Sequence, residues 1–254
     1  MFRVVIPARF ASTRLPGKAL LPIAGKPMVQ WVYERARAAA AQEVLIATDD
    51  ERIARAARGF GARAVMSSAT HASGTDRIAE VARARNWGAQ EIVVNVQGDE
   101  PLVPPALITQ VAELLQAHPA AQLATLATPL ESLAELLDPA VVKVVSDAQG
   151  YALYFSRAPI PWNRDGAPAG LTSQREFAGA RRHRGLYAYR VAELLHLAQL
   201  PQGHLEGLEK LEQLRALEHG LRIVVADAIE RPGPDVNTPA DLEHVRKLMD
   251  SSVG

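Results

Sequence analysis

The stretch Val4-Val5-Ile6-Pro7-Ala8-Arg9-Phe10-Ala11-Ser12-Thr13-Arg14-Leu15-Pro16-Gly17-Lys18 decides the fold. Its apolar, β-branched beginning at residues 4–6 predicts a strand that is buried on both faces. Pro7 has no backbone N–H to offer a neighbouring strand, so we expect the strand to end there. Loops at the carboxyl ends of parallel strands are where open α/β sheets bind ligands. The small residues and three cations of this loop favour a polyphosphate ligand.

The loop matches neither of two common phosphate-binding motifs. The pattern G-x-x-x-x-G-K-[ST] requires glycine where Ser12 stands and a hydroxyl residue where Ala19 stands. No G-x-G-x-x-G follows the strand either, which excludes a dinucleotide fingerprint. From spacing alone, a solvated surface loop therefore remains the alternative to a phosphate site.

The composition is that of an ordinary globular protein, with 254 residues, 48% hydrophobic and 22% charged. Lys plus Arg and Asp plus Glu both number 28, so we expect no nucleic acid and no membrane as partner. The lack of cysteine excludes disulfides, thiolate catalysis and cysteine-based zinc sites. Since neither a signal peptide nor an apolar run of about 18 residues is visible, we expect a soluble, cytoplasmic protein.

Strands and helices alternate along much of the chain, which predicts an α/β fold with a doubly wound, mostly parallel (Rossmann-like) sheet. The predicted strands of this sheet are 4–6, 44–48, 63–66, 92–96, 122–128 and 222–226. The predicted helices are 28–41, 51–58, 76–86, 104–117 and 239–250.

The rhythm changes near residue 141. Residues 141–146 and 151–156 flank a turn-forming tetrapeptide, which predicts a hairpin. A strand at 186–189 and helices at 191–199 and 207–219 are predicted to follow. We interpret residues 1–254 as a single domain, in which 1–129 and 220–254 form the core that carries the candidate polyphosphate loop and 130–219 form an inserted antiparallel and helical subdomain.

Polar residues follow the most apolar strand. Asp99 is a candidate Mg²⁺ ligand, because magnesium takes one or two carboxylates and completes its shell with phosphate oxygens and water. A simple turn cap is the alternative. Gly98 allows close approach of the backbone, and Gln97 adds a hydrogen-bonding group. Asp235 or Asn237 would add a second oxygen, although a helix cap explains much of that segment.

Two further segments have both a structural and a functional interpretation. In residues 73–77, Ser-Gly-Thr-Asp-Arg, Ser-Gly is either an ordinary turn before an N-cap at Thr75 or Asp76, or a turn whose backbone reads a nucleobase. The acidic residues Glu206, Glu209 and Glu212 have a helical spacing that is typical of a solvated face. No H-E-x-x-H or G-x-S-x-G motif is present, so the chain offers neither that metalloprotease site nor that nucleophile elbow.

Taken together, these stretches resemble the 3-deoxy-manno-octulosonate (Kdo) cytidylyltransferases, a family of sugar nucleotidyltransferases. The resemblance extends over nearly the whole chain and is carried by the opening loop and by residues 47–49, 71–77, 94–101, 142–145, 151–162 and 209–215. It implies the nucleotide-diphospho-sugar transferase type of fold and transfer of CMP from CTP to the anomeric hydroxyl of Kdo, with release of diphosphate. It further implies Mg²⁺ as cofactor, a homodimer and a role in lipopolysaccharide biosynthesis.

The resemblance also implies roles for individual residues. The nucleotide is expected to contact Ala8, Arg9, Ser12, Thr13, Arg14, Lys18, Ser73, Gly74 and Arg77. Kdo is expected to contact Gln97, Arg157, His183, Tyr187, Glu212 and Gln213, and residues 130–219 are expected to carry sugar-acid binding and dimerisation. Arg9, Lys18 and Asp99 are expected to be catalytic. An anionic acid beside a triphosphate needs extra cations, which Arg157 and His183 could supply.

One departure from the family pattern affects the metal site. The family usually has Val-Asp-Thr-Pro before the last helix, with the Asp as second metal ligand, whereas this chain has Asn237. Alternative substrates are an 8-amino relative of Kdo, a sialic acid, or a sugar or polyol phosphate. A non-catalytic sugar-nucleotide-binding protein of the same fold is the alternative from a different functional class.

Overall fold

A mixed β-sheet runs through the molecule. The computed structural model describes residues 1–11, 14–71, 73–167 and 169–251, without the side chains of Thr172 and Ser251. The strands are β1 (Phe2–Ala8), β2 (Pro22–Ile23), β3 (Lys26–Pro27), β4 (Glu43–Thr48), β5 (Arg63–Met66), β6 (Ile92–Asn95), β7 (Leu123–Pro129), β8 (Lys143–Ser146), β9 (Ala152–Ser156), β10 (Arg181–Arg190) and β11 (Ile223–Asp227). In the described residues, all except the β2–β3 pair belong to this one sheet.

Helices cover the sheet. They are α1 (Met28–Ala38), α2 (Glu51–Gly59), α3 (Gly74–Ala84), α4 (Pro105–Ala117), α5 (Leu133–Leu137), α6 (Val191–Leu197), α7 (His204–Glu209), α8 (Gln213–Glu218) and α9 (Pro239–Ser251), with 3₁₀ turns at Lys18–Leu20 and Leu171–Ser173. None of the helices in the described part of the chain combines the length and the apolar character needed to span a bilayer.

The sheet has the order β11-β7-β10-β6-β1-β4-β5, and β8 and β9 extend it as a hairpin beside β10. Strands β6, β1, β4 and β5 pair in parallel, as do β7 and β11, whereas β10 is antiparallel to both of its neighbours. The predicted α/β class, mostly parallel sheet and β8–β9 hairpin are therefore confirmed. The carboxyl ends of the parallel strands and the amino end of β10 lie along one edge of the sheet.

Strand β1 is buried as predicted but is longer than predicted. Val4 and Ile6 pack in the core on one face of the sheet and Val5 in the core on the other. The strand does not end at Pro7 but continues to Ala8. Pairing with β6 stops at Val5, while pairing with β4 continues to Ala8. The proline thus occupies a position with one strand neighbour, where a missing N–H is tolerated.

Strand β10 begins five residues earlier than predicted, at Arg181, and passes through the main sheet between β6 and β7. Its first half, Arg-Arg-His-Arg-Gly, has no apolar alternation, and pairing with β7 and β8 forms the strand there. The division of the chain at residues 130 and 219 remains a prediction, although one strand of the proposed insertion belongs to the central sheet.

The prediction of one continuous helix at 207–219 is wrong. Helix α7 ends at Glu209, Lys210 adopts a left-handed conformation (φ 54°), and α8 begins at Gln213. The break lets the Arg215 guanidinium contact both carboxylate oxygens of Glu206, at 2.7 and 2.8 Å. In a continuous helix these two residues would lie about 13 Å apart along the axis and on opposite faces.

Candidate active site

A cavity of about 310 Å³ opens at the carboxyl edge of the sheet, between the ends of β1 and β6 and the start of α3. Most of the residues that were predicted to bind the nucleotide line it: Ala8, Arg9, Arg14, Lys18, Ser73, Gly74 and Arg77. The same cavity is also lined by His71, Gln97, Asp99 and Asn237. Ser12 and Thr13 lie outside the described residues. We call this space the nucleotide cavity.

The opening loop folds back over the end of β1. The Gly17 N–H donates to the Phe10 carbonyl at 3.0 Å, and Gly17 has φ +65°, which favours glycine. A Cβ at residue 17 would also lie 3.0 Å from the Phe10 ring. The Arg52 guanidinium covers this ring at 3.4 Å from its centroid. These contacts fix the loop from which Lys18 and the exposed Arg14 reach the cavity.

Lys18 and Asp99 form an ion pair in the wall of the nucleotide cavity. The ammonium Nζ lies 2.5 Å from Asp99 Oδ2 and 3.4 Å from the Val236 carbonyl. The backbone of Val236 in turn donates to the Asp99 carbonyl at 2.9 Å. Gly98 lets the segment after β6 pass close to the end of β1, because a Cβ there would lie 2.8 Å from the Pro7 carbonyl oxygen. The cavity therefore places a cation and a carboxylate side by side.

The two candidates for a second metal-binding oxygen lie in different places. Asn237 lines the nucleotide cavity, and its Oδ1 accepts a hydrogen bond of 3.0 Å from Arg14. Asp235 lines neighbouring spaces instead. Burial, and next the nearby charge of Asp99, raise the pKa of Asp235. Asn237 is thus the candidate that shares a cavity with Asp99.

The oxygen atoms at the mouth of the nucleotide cavity fit a magnesium ion that binds together with a nucleotide. Asp99 offers a carboxylate and Asn237 an amide oxygen, both hard ligands. Nowhere in the described part of the chain do three or more His, Cys, Asp or Glu residues gather as a potential metal site. Magnesium does not need such a group, because phosphate oxygens and waters complete its octahedron.

The amino terminus of α3 forms the opposite wall. Ser73 is the N-cap: its hydroxyl accepts from the Asp76 N–H, and the Asp76 carboxylate accepts from the Ser73 N–H, both at 3.1 Å. Arg77 is buried and donates to Asp49 at 2.8 Å. The N-cap is thus Ser73 and not Thr75 or Asp76 as predicted. Because Ser73 also lines the cavity, the structural and functional interpretations of residues 73–77 do not exclude each other.

A second cavity of about 200 Å³ adjoins the first and shares Gln97 with it. Five of the residues that were predicted to bind the sugar acid line it: Gln97, His183, Tyr187, Glu212 and Gln213. Among the described residues, three polar atoms of this wall are buried without a hydrogen-bond partner: Asn95 Oδ1, the Tyr187 hydroxyl and Glu212 Oε1. Such atoms are costly unless a ligand or water pairs with them. We call this space the acid cavity.

His183 and Glu212 are among the residues of the acid cavity whose pKa values are shifted. Burial, and next the charge of Arg184, lower the pKa of His183 to about 3, and its Nε2 lies 3.1 Å from the Thr125 hydroxyl. The expectation that His183 supplies a cation is therefore wrong, since the ring is neutral at neutral pH. Burial raises the pKa of Glu212, against the hydroxyls of Thr75 and Ser73, which lower it.

The interpretation of the acidic residues as a solvated face is also wrong. Glu206 is 5% exposed and pairs with Arg215, and Glu212 Oε1 is buried in the acid cavity. The break at Lys210 brings Glu206 against Arg215 and leaves Glu212 in the wall of the acid cavity.

Arg157 is the predicted acid-binding residue that the structure places apart from the two cavities. Its Nε donates to the Glu209 carbonyl at 2.7 Å and its Nη1 to the Pro139 carbonyl at 2.8 Å. The guanidinium is thus bound by backbone oxygens of two other segments.

Sequence reasoning missed several residues of the walls, among them His71, Thr75, Asn95 and Tyr189. Asn95 had a recognisable signal in the sequence, because it is the polar member of an otherwise apolar strand. In the structure it is 3% exposed. His71 lies 2.5 Å from Glu80 through its Nε2. A lone histidine carries no spacing signal, so this pairing becomes visible only in the folded chain.

Known proteins of one kind resemble this chain over nearly its whole length. Residues 3–223 match the family described as "Cytidylyltransferase". Proteins named 3-deoxy-manno-octulosonate cytidylyltransferase from Thioalkalivibrio sulfidiphilus and Pseudomonas fluorescens are 56% and 55% identical over 248 and 250 residues, which is 98% of this chain and 98% of each relative. The solved structure of CMP:2-keto-3-deoxy-manno-octonic acid synthetase complexed with CTP superimposes with a TM-score of 0.89 at 43% identity, covering 99% of this chain and 100% of the other.

Proposed function

The chain belongs to the cytidylyltransferase family and is a nucleotidyltransferase, and we propose that it transfers CMP from CTP to the anomeric hydroxyl of Kdo. The observation that carries this proposal is the pair of adjoining cavities that meet at Gln97. One is rich in cations, as a triphosphate requires. The other presents unpaired buried polar atoms, as a ligand rich in hydroxyl groups requires.

The reaction is an in-line displacement at the α-phosphate. The anomeric oxygen forms a bond to this phosphorus while the bond to the bridging oxygen of the departing diphosphate breaks, and the hydroxyl proton is released. Such a reaction depends on positioning and charge neutralisation rather than on a protein nucleophile. Arg9, Arg14 and Lys18 line the nucleotide cavity and neutralise the triphosphate. When bound at Asp99 and Asn237, Mg²⁺ would supply further charge neutralisation and activation of the attacking hydroxyl.

The acid cavity orients the other substrate. Glu212 Oε1 accepts and Tyr187 Oη donates or accepts, so hydroxyl groups of a sugar acid would pair with them and with Asn95 Oδ1. Gln97 lies at the junction, where the anomeric carbon has to meet the α-phosphate. His183 contributes a neutral ring. The positive charge that pairs with the carboxylate of the sugar acid therefore has to come from a residue other than His183.

Other parts of the proposal rest on the sequence resemblance. They are the Mg²⁺ requirement, a homodimer in which residues 141–190 form contacts, a cytoplasmic location and a role in lipopolysaccharide biosynthesis. The exposed side chains of Leu153 on β9 and Trp162 beyond it, at 62% and 39%, are compatible with contacts between subunits in this region. Gel filtration with light scattering tests the dimer directly.

A diphosphate-release assay with CTP tests the proposed function. The acceptor panel is Kdo, an 8-amino relative of Kdo, a sialic acid and a polyol phosphate, each with and without Mg²⁺. We expect release with Kdo and Mg²⁺. Release with another acceptor alone would replace Kdo as substrate, and CTP binding without release from any acceptor would favour the non-catalytic alternative.

A further inference from the structure

A network of hydrogen bonds joins the end of β9 to the end of α7 through one carboxylate. Glu209 Oε1 accepts from the Ser156 hydroxyl at 2.5 Å, and Oε2 accepts from the Arg157 N–H at 2.9 Å. The Glu209 carbonyl accepts from Arg157 Nε at 2.7 Å. Ser156 is 2% exposed, whereas Glu209 and Arg157 are half-buried, so the junction is partly shielded from water. Hydrogen bonds to a charged group in such a place are among the stronger ones in proteins.

A buried lysine supports the same junction from the other side. Lys143 is fully buried, and its Nζ donates to the carbonyls of Asp138, Val141 and Arg157 at 2.9, 2.6 and 2.7 Å. Arg157 is therefore held through its N–H, its carbonyl and its guanidinium. Glu209 therefore bonds to a segment, at Arg157, whose position is fixed by several hydrogen bonds.

The other side of Glu209 leads directly to the acid cavity. Glu209 ends α7, Lys210 makes the left-handed turn, and Glu212 and Gln213 line the cavity three and four residues later. The Glu206–Arg215 ion pair closes the base of this turn. The turn 210–213 is thus attached at its base by one ion pair and to β9 by the Glu209 carboxylate.

We propose that Glu209 is a positioning residue for the sugar-acid site, an inference that rests on the proposed function. It sets the turn 210–213 against β9 so that Glu212 Oε1 faces the acid cavity. Hydrogen-bond partners must lie within about 2.7–3.2 Å with good alignment, so a shift of this turn weakens acid binding. Glu212 also interacts with the Ser73 hydroxyl, but the turn lies apart from Arg14 and Lys18, so we expect CTP binding to depend on the turn much less than acid binding does.

Glu209→Gln tests this proposal with little change of shape. The carboxylate uses a different oxygen for each of these bonds, and an amide puts a donor NH2 group in place of one of them, so in this geometry it cannot accept from both the Ser156 hydroxyl and the Arg157 N–H. Glu218→Gln is the matched control, because the Glu218 carboxylate also accepts from two backbone N–H groups of the same helix pair, those of Leu205 and Glu206, at 3.0 and 3.3 Å. The measurements are KM for Kdo, KM for CTP, kcat and the melting temperature of each variant.

We expect Glu209→Gln to raise KM for Kdo about tenfold and to leave KM for CTP within about twofold, the size of effect of one weakened hydrogen bond to a charged group. The control should lower the melting temperature while both KM values stay close to those of the wild type. An unchanged KM for Kdo, or an equal rise of both KM values, would overturn the proposal. If Glu209→Gln does not fold, Ser156→Ala, which removes one of the bonds, takes its place in the same comparison. A wild-type protein that releases no diphosphate with Kdo would instead overturn the proposed function.

Discussion

Replacing Glu212 by glutamine is expected to stabilise the free protein and to weaken its binding of Kdo. One carboxylate oxygen of Glu212 is buried without a partner, and burial raises the pKa of the group. The folded protein therefore binds this proton more tightly than the unfolded chain does. The stabilising contribution of the protonated form is complete below the unfolded pKa of about 4.3 and is lost as the pH rises through the folded value.

The magnitude follows from the unpaired oxygen. A buried polar group without a partner costs about 1–3 kcal/mol, and more when it is charged. The neutral amide keeps the shape and removes the charge, so we expect a gain of about 1 kcal/mol in the free energy of unfolding at pH 8. That corresponds to a rise of about 2–4 °C in melting temperature for a chain of this size. The gain should vanish near pH 4.

Thermal and urea unfolding of the wild type and variant at pH 8, 6 and 4 measure this difference. Glu218→Gln is a control of opposite sign, because the N–H of Leu205 lowers the pKa of Glu218 and its carboxylate stabilises the fold at neutral pH. In parallel, KM for Kdo should rise about tenfold in Glu212→Gln. A variant that is no more stable than the wild type at pH 8, or equally stabilised at pH 4, would refute the reasoning.

Three further predictions concern the two cavities. Asp99→Ala should lower diphosphate release by about 100-fold or more, whereas Asn237→Asp should keep or raise it; near-normal turnover of Asp99→Ala would contradict the metal assignment. Arg77→Met should lower the free energy of unfolding by about 3 kcal/mol, because the Asp49 carboxylate, 2.8 Å from the guanidinium, loses its buried partner. A loss below about 1 kcal/mol in urea unfolding would contradict this. The ring of His183 should remain neutral between pH 8 and pH 5 in nitrogen-15 NMR spectra, since its pKa is about 3, and a midpoint near the ordinary value of about 6.5 would show that burial does not control it.

Local sequence patterns were sufficient to predict much of the fold. They were insufficient where a strand or a helix break depends on contacts with segments that are distant in the sequence. The apolar run of β1 and the turn between β8 and β9 carry their own signals, and both were predicted. The first half of β10 has a charged sequence and is a strand because β7 and β8 pair with it. The break at Lys210 is likewise set by contacts of the residues around it and not by a proline or glycine at that position.

The candidate site shows a similar division. The resemblance identified residue types that the structure gathers around two cavities, because it compares whole motifs rather than single residues. It did not indicate the protonation of His183, which depends on burial, nor the position of the Arg157 guanidinium, which depends on carbonyls from two other segments. The unpaired oxygen of Glu212 is also a property of the folded chain. Charge and hydrogen bonding at a site follow from burial, which sequence motifs do not express.

The asparagine at residue 237 is expected to affect how the proposed metal and the protein share the neutralisation of the triphosphate. Arg9, Arg14 and Lys18 line this cavity together with the carboxylate of Asp99, and Asn237 adds an oxygen without a negative charge. Its Oδ1 accepts from Arg14 at 3.0 Å, so the amide also orients one of the cations. A carboxylate at this position would attract a metal more strongly but would offset a second cation. With asparagine, more of the triphosphate charge is neutralised by the protein itself, and Asn237→Asp should therefore strengthen metal binding in the presence of CTP while weakening CTP binding when metal is withheld.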